Sequence, residues 1–237
     1  MFVPLSDENA LKSISFQYVT VTLIAINVIL FLVTQFVPDV RAMTGFAIIP
    51  AELVKVGWAG GPAYGPLDLV PVPERYTLIT YMFLHGGWMH LISNMLFLWV
   101  FGDNVEDAMG HFRFLVFYLA CGIFAGIAHT LAVPDSPRPL IGASGAVAGV
   151  IAAYLMLHPR VNVWVLVFRY IPLRLSATIV LGVWIITQFV MVVLPEQGPV
   201  AWWAHIGGLV AGAVLVTFMR RPGVRLFDRG LGSRRVI

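Results

Sequence analysis

Charge is what this chain has least of. Only 11% of its 237 residues are Asp, Glu, Lys or Arg, while 59% are hydrophobic and the mean hydropathy is +0.87. A soluble domain carries about 25% charged residues, so composition excludes that class and points to a polytopic membrane protein. Cysteine is nearly absent too. The lone Cys121 lies in an apolar run, which excludes an intrachain disulfide and leaves the redox compartment undefined. There is no H-E-x-x-H string to supply zinc ligands and a base, and His85 and His90, five residues apart, fall on different helix faces. No metal and no cofactor is therefore expected. Internal repeats and low-complexity runs are missing, and Met1–Lys12 is too polar for the start of a cleaved leader. The net charge of +3 resides mainly in the C-terminal tail, where basic residues beside a last span mark the cytoplasmic side rather than a nucleic-acid site.

What the chain has instead is long apolar runs. A spanning helix needs about 20 mostly apolar residues, and six stretches qualify: 16–37, 80–101, 112–133, 141–158, 174–194 and 200–219. The expected fold is thus an all-α polytopic membrane protein, a six-helix bundle. A short segment 1–15 precedes the membrane domain 16–219, and a basic tail 220–237 follows it. Val163–Val167 is apolar but closely followed by Arg169 and Arg174, and reads as an interfacial stretch. With a cytoplasmic N-terminus, the inner side collects Lys12, Arg113, Arg160, Arg169, Arg174, Arg220, Arg221, Arg225, Arg229, Arg234 and Arg235. The outer side holds only Arg41, Lys55, Arg75 and Arg138, so both termini are expected in the cytoplasm. The outer loop, about 38–76, is long and mixes Phe46–Ile49, Leu53, Val54, Val56 and Trp58 with glycine and proline. Loops longer than about 15 residues usually carry structure or function. This one predicts a partly ordered element packed at the outer leaflet.

Polar residues are few enough inside these spans to be weighed singly. Ile141–Gly149, I-G-A-S-G-A-V-A-G, sets Ser144 at the start of the fourth span. Alone, it reads as a helix-packing serine. Ala204–Gly212, A-H-I-G-G-L-V-A-G, sets His205 near the start of the sixth. At about 1.5 Å per residue, Ser144 lies roughly 6 Å and His205 roughly 9 Å below the outer boundary. Small residues at four-residue spacing, Gly142 with Ala146, Gly145 with Gly149 and Gly208 with Gly212, allow close backbone approach. A second span begun late, at Gly86-Gly87, would bring His90 to the same depth, with Asn94 one turn on and on the same face. Its inner end would then expose Asp103–Asp107 to water. Glu106 and Arg113, flanking Gly110, read as a structural pair, and His85 as a loop-side hydrogen-bonding residue.

This set matches one chemistry. Serine needs an adjacent base, most often histidine, and attack on an amide needs preplaced donors for the oxyanion. Free N–H groups at the fourth helix's first turn, together with His90 and Asn94, can supply them. No carboxylate lies at matching depth to orient His205, so a Ser144–His205 dyad is expected.

Over residues 75–215 the chain resembles the rhomboid intramembrane serine proteases. The resemblance rests on G-A-S-G (Gly142–Gly145), A-H-I-G-G-L-V-A-G (Ala204–Gly212), H-x-x-x-N (His90–Asn94) and the inner G-D-N-V-E-D-A-M-G run (Gly102–Gly110), in that family's order on the second, fourth and sixth spans. It implies a six-helix core, Ser144 as nucleophile, His205 as base, and His90, Asn94 and the Ser144 N–H around the oxyanion. It further implies cofactor-free cleavage of transmembrane protein substrates among membrane lipids, admitted laterally by movement of the fifth helix or the outer loop. Two positions depart from the family pattern: Glu74-Arg75-Tyr76 stands where a Trp-Arg pair is often found, and Ala148 where some members stack an aromatic on the histidine. Another group must then hold the His205 ring. The compact chain suggests a bacterial inner membrane. The other reading open to the sequence is an inactive relative that binds transmembrane helices; oligomeric state and substrate identity leave no trace in it.

Overall fold

The computed structural model describes residues 2–36, 41–57, 70, 72–167, 170–194 and 200–227, the side chains of 2, 41, 42, 56 and 57 excepted. Expectations placed on Trp58 and the loop around it, on Arg169, and on Arg229, Arg234 and Arg235 fall outside these residues. Six described helices have fourteen or more residues: α1 (Tyr18–Thr34), α2 (Trp88–Met109), α3 (His111–Ala132), α4 (Ser144–Leu157), α5 (Ala177–Val193) and α6 (Trp202–Met219). By length and apolar composition α3 and α6 could each cross a membrane, and α1, α4 and α5 are shorter apolar helices.

The stretch 80–101, expected as a helix, is displaced by about two turns to 88–109. Residues Glu74–Thr80 form a short helix of their own and Tyr81–Phe83 a 3-10 turn. Gly86 and Gly87 then separate these from α2. Glycine favours a boundary there because it carries the largest entropic cost of being fixed in a helix.

At the centre, α4 is packed between α3, α2 and α6, and Gly145, Ala146, Ala148, Gly149, Val150, Ile151 and Ala153 are all buried. The α4–α6 crossing is set by glycine. A Cβ on Gly208 would stand 1.9 Å from the Gly145 carbonyl oxygen, and one on Gly212 would stand 2.2 Å from that of Gly149. Backbone thus rests on backbone, as four-residue small spacing permits.

At the end of the bundle opposite Ser144 the structure is not all-α. β1 (Phe2–Asp7), β2 (Asn162–Val167) and β3 (Ile171–Ser176) form an antiparallel sheet in the order β1-β2-β3, with a bulge between Pro4 and Ser6. The interfacial stretch is therefore the central strand. Its alternation explains this: Val163 and Val165 are fully buried while Trp164 between them is 40% exposed. Exposed Arg174 on β3 donates two hydrogen bonds to Glu8, which holds that carboxyl below and the guanidinium above their ordinary pKa values.

Of the carboxylates in the run Asp103–Asp107, expected to reach water, Asp103 is half-buried and Glu106 and Asp107 are buried. Glu106 is fully buried and accepts hydrogen bonds from the Val19 and Thr20 N–H groups and the Thr20 hydroxyl, at 3.0, 2.8 and 2.7 Å. Its described ionic contact is His111 Nδ1 at 2.5 Å, in place of the Arg113 pairing read from the sequence. Asp107 accepts from the N–H groups of Lys12, Ser13 and Ile14. The first turn of a helix leaves N–H groups without intrahelical partners, and α2 carries the acceptors for the start of α1. In the loop after α1, Pro50–Glu52 form a single helical turn. Ala47, Ile48, Ile49 and Leu53 are buried, and Ile48 bridges to Leu140 just ahead of α4.

Candidate active site

Leu140 is held by the Ile48 bridge and the Gly142 N–H donates to the Tyr81 carbonyl at 2.9 Å, so the loop entering α4 is fixed on both sides. Gly142 turns the chain at φ +117°, and a Cβ there would meet His90 Nε2 at 2.5 Å. Both conditions demand glycine. Ser144 follows as the first residue of α4. The first described intrahelical N–H bond comes from Val147 to the Ala143 carbonyl. The N–H groups of Ser144, Gly145 and Ala146 are therefore left at the positive end of the helix.

His205 sits in the first turn of α6, 8% exposed, and its Nε2 lies 2.8 Å from Ser144 Oγ. The glycine-on-glycine crossing brings the two helix starts this close. Sequence reasoning predicted the pair from depth but missed its third partner. Gln188 of α5 places Oε1 2.7 Å from His205 Nδ1, and its own Nε2 donates to the Trp184 carbonyl at 2.8 Å. The available signal was the lone amide side chain of the stretch 174–194, whose other polar residues are Arg174, Ser176, Thr178 and Thr187. Trp184 and Trp202 both lie 5.9 Å from the imidazole, tilted and edge-on respectively. These three side chains surround the ring where Ala148 cannot.

His90 and Asn94 line the same cavity as Ser144 and His205, on one face of α2. Neither hydrogen-bonds Ser144. Asn94 Nδ2 donates to the His90 carbonyl at 2.9 Å, which leaves its second amide hydrogen unassigned. The Gly86 N–H approaches His90 Nδ1 at a long 3.4 Å. With Nδ1 accepting, Nε2 of a neutral ring carries the proton and is a donor beside Gly142. Both ring nitrogens of His85 are buried, with no hydrogen bond of good geometry among the described residues, and the ring lies edge-on to His90 at 5.0 Å. No group of three or more metal-ligating side chains occurs among the described residues.

The cavity over the pair measures about 1230 Å³, runs between α2 and α5, and is lined at its outer rim by Ser136, Arg138 and Leu140. It is large enough for an extended peptide segment, with apolar walls that include Val147, Val180 and Val183 and with polar side chains both around Ser144 and at Ser136 and Arg138. A hydroxyl, an imidazole and potential N–H donors thus adjoin one accessible space, a set of groups of the kind that acyl transfer requires.

Residues 73–222 match the Rhomboid domain family model, and the chain belongs to the rhomboid family. It is 34% identical over 169 residues to rhomboid protease GluP of Bacillus subtilis, covering 70% of this chain and 30% of that one. To RHOMBOID-like protein 5 of Arabidopsis thaliana it is 28% identical over 208 residues, 81% of this chain and 64% of that protein. To the chloroplastic Rhomboid-like protein 11 of the same plant it is 28% identical over 161 residues, 63% and 54% of the two chains. The chain thus spans less than two thirds of each of these relatives. Membership makes it an integral membrane protein, and because the relatives include organellar proteins, a bacterial inner membrane draws no support from them.

Proposed function

We propose that the protein is a serine endopeptidase that hydrolyses peptide bonds in or beside the transmembrane segments of membrane-protein substrates, using a Ser144–His205 dyad. The observation that carries this reading is the 2.8 Å approach of Ser144 Oγ to His205 Nε2 in the lining of a cavity of about 1230 Å³. The relatives named as proteases support the reaction class.

The steps follow from the geometry. As Ser144 Oγ attacks the scissile carbonyl carbon, His205 Nε2 takes its proton. The oxyanion is received by the Ser144 N–H, with His90 Nε2–H and the Asn94 amide turning toward it. Collapse breaks the C–N bond, and imidazolium returns the proton to the departing amine. A water molecule, deprotonated by His205, then attacks the acyl-serine and releases the carboxylate. An intact helix conceals its carbonyls in internal hydrogen bonds, so substrates with small or helix-breaking residues near the outer face are preferred. In this reading α1–α6 are six spans within the membrane domain 16–219, both termini are cytoplasmic, and substrate enters from the lipid between α2 and α5.

A fluorophosphonate probe and a model transmembrane substrate test the assignment. Wild-type protein is expected to take the probe and cut the substrate, and Ser144→Ala to lose both, with a rate drop on the order of 10^4-fold or more. Cleavage that survives in Ser144→Ala would refute the mechanism. A folded, inserted wild type inert toward probe and substrates alike would favour a helix-binding relative without proteolysis.

A further inference from the structure

The exposed side chains of α5, among them Ile179, Ile186, Phe189 and Val190, face outward. The inward row at helical spacing is Val180, Leu181, Trp184 and Gln188. Gln188 is the polar member of that row, and it is only 3% exposed. A buried amide is costly unless its hydrogen bonds are made, and here both ends are used. Its orientation is also determined. The Trp184 carbonyl can only accept, so the group facing it is the NH2 and the group facing His205 is Oε1. Because Oε1 can only accept, Nδ1 of a neutral His205 must carry the proton. Its other nitrogen, Nε2, is then the lone-pair site opposite Ser144 Oγ.

We infer that Gln188 is the positioning residue of the site, fixing His205 in the Nδ1–H tautomer and so presenting Nε2 to Ser144 as base. The backbone carbonyl of Trp184 orients the glutamine, the glutamine orients the histidine, and the histidine activates the serine. An uncharged amide in this place sets the tautomer but supplies no countercharge to the imidazolium formed in the reaction. It therefore does part of what a carboxylate does in a three-residue serine site. The inference rests on Ser144 and His205 being nucleophile and base.

The test uses the full chain in detergent or bilayers, comparing wild type with Gln188→Met, Gln188→Glu and Ser144→Ala. Gln188→Met keeps the side-chain length and removes the carbonyl acceptor. It is expected to lower kcat on the order of 10- to 100-fold with KM little changed, since the ring loses its fixed tautomer rather than its substrate. Gln188→Glu restores an acceptor, recovers most of that loss, and shifts the acid limb of the pH–rate profile upward because a carboxylate favours the imidazolium. Nitrogen-15 NMR of imidazole-labelled protein, with His205→Ala to assign the signal, reads the tautomer in wild type even if a variant fails to fold. A wild-type His205 protonated on Nε2 overturns the inference. So does a Gln188→Met variant with wild-type kcat, or a Gln188→Glu variant that cleaves substrate with the acid limb unmoved. Wild-type activity lost in Ser144→Ala keeps the dyad standing while Gln188 is judged; cleavage surviving Ser144→Ala fails the dyad itself.

Discussion

At the scale of single residues, the geometry of Ser144 and His205 depends on atoms that are missing elsewhere. Gly208 lets the start of α6 rest on the Gly145 carbonyl, one residue after the serine. An added methyl 1.9 Å from that oxygen cannot be accommodated by a side-chain turn, because the obstacle is backbone. Gly208→Ala is expected to cost about 1–3 kcal/mol through overpacking and to lengthen the Ser144–His205 contact. Thermal unfolding in detergent should show the loss, and fluorophosphonate labelling should slow. Gly182 on α5 is the control, since a Cβ there meets nothing within 4 Å. Gly182→Ala should leave labelling intact and gain up to about 1 kcal/mol from helix propensity. Equal destabilisation by the two substitutions would contradict the close-approach explanation. Ser144, His205 and these glycines were legible in the sequence because a polar residue in an apolar run, or four-residue glycine spacing, has few competing explanations. Gln188 was not read, although it is just as isolated. Its meaning depends on which face of α5 meets α6, which apolar periodicity does not determine for a helix with hydrophobic residues on every side.

At the scale of elements, the contact between the end of α2 and the start of α1 shows how a motif can be legible as important and be misread in kind. The acidic run Asp103–Asp107 looks from its composition like a hydrated helix end. In the fold Glu106 is an acceptor for the start of α1 and Asp107 for the segment ahead of it, which no local pattern announces because the donors lie more than 80 residues away. Glu106→Ala removes the partner of two backbone N–H groups, one hydroxyl and His111. Leaving such buried donors unmet costs about 1–3 kcal/mol per group before relaxation and water entry, so a net loss of about 2–4 kcal/mol is expected. Glu106→Gln keeps one acceptor oxygen and should lose about half as much. Hydrogen exchange at the α1 amides of Val19 and Thr20, measured beside thermal unfolding, checks the cause. Exchange unchanged in Glu106→Ala would assign the loss to some other part of the bundle.

At the scale of the whole molecule, the first residues of the chain are a structural member rather than a short leading segment. The arm from Phe2 to Ile14 adds a strand to the sheet and joins elements distant in sequence. Asp7 Oδ2 accepts from the Tyr154 hydroxyl of α4 at 2.5 Å and from Asn104 Nδ2 of α2 at 3.0 Å, and Asn9 donates to Asn104. A mixed polar segment gives little warning of this, since a strand with one partner is specified by its neighbour's edge as much as by its own residues. The arm makes a prediction whose sign follows from linkage. Burial raises the Asp7 carboxyl above its ordinary pKa, with the Tyr154 hydrogen bond opposing. The folded protein therefore holds this proton more tightly than the unfolded chain, so Asp7 lowers stability as pH rises through its folded titration range. The penalty is complete at higher pH and relieved at lower pH. Both donors meet the same oxygen, so the amide oxygen of Asp7→Asn can keep both bonds without the buried charge. Asp7→Asn is thus expected to unfold at a higher temperature than wild type at neutral pH, with the difference shrinking as pH falls through the range where Asp7 protonates. A difference that stays constant across that range, or grows toward acid, would mean that the Asp7 charge is a net contributor to holding the arm in place.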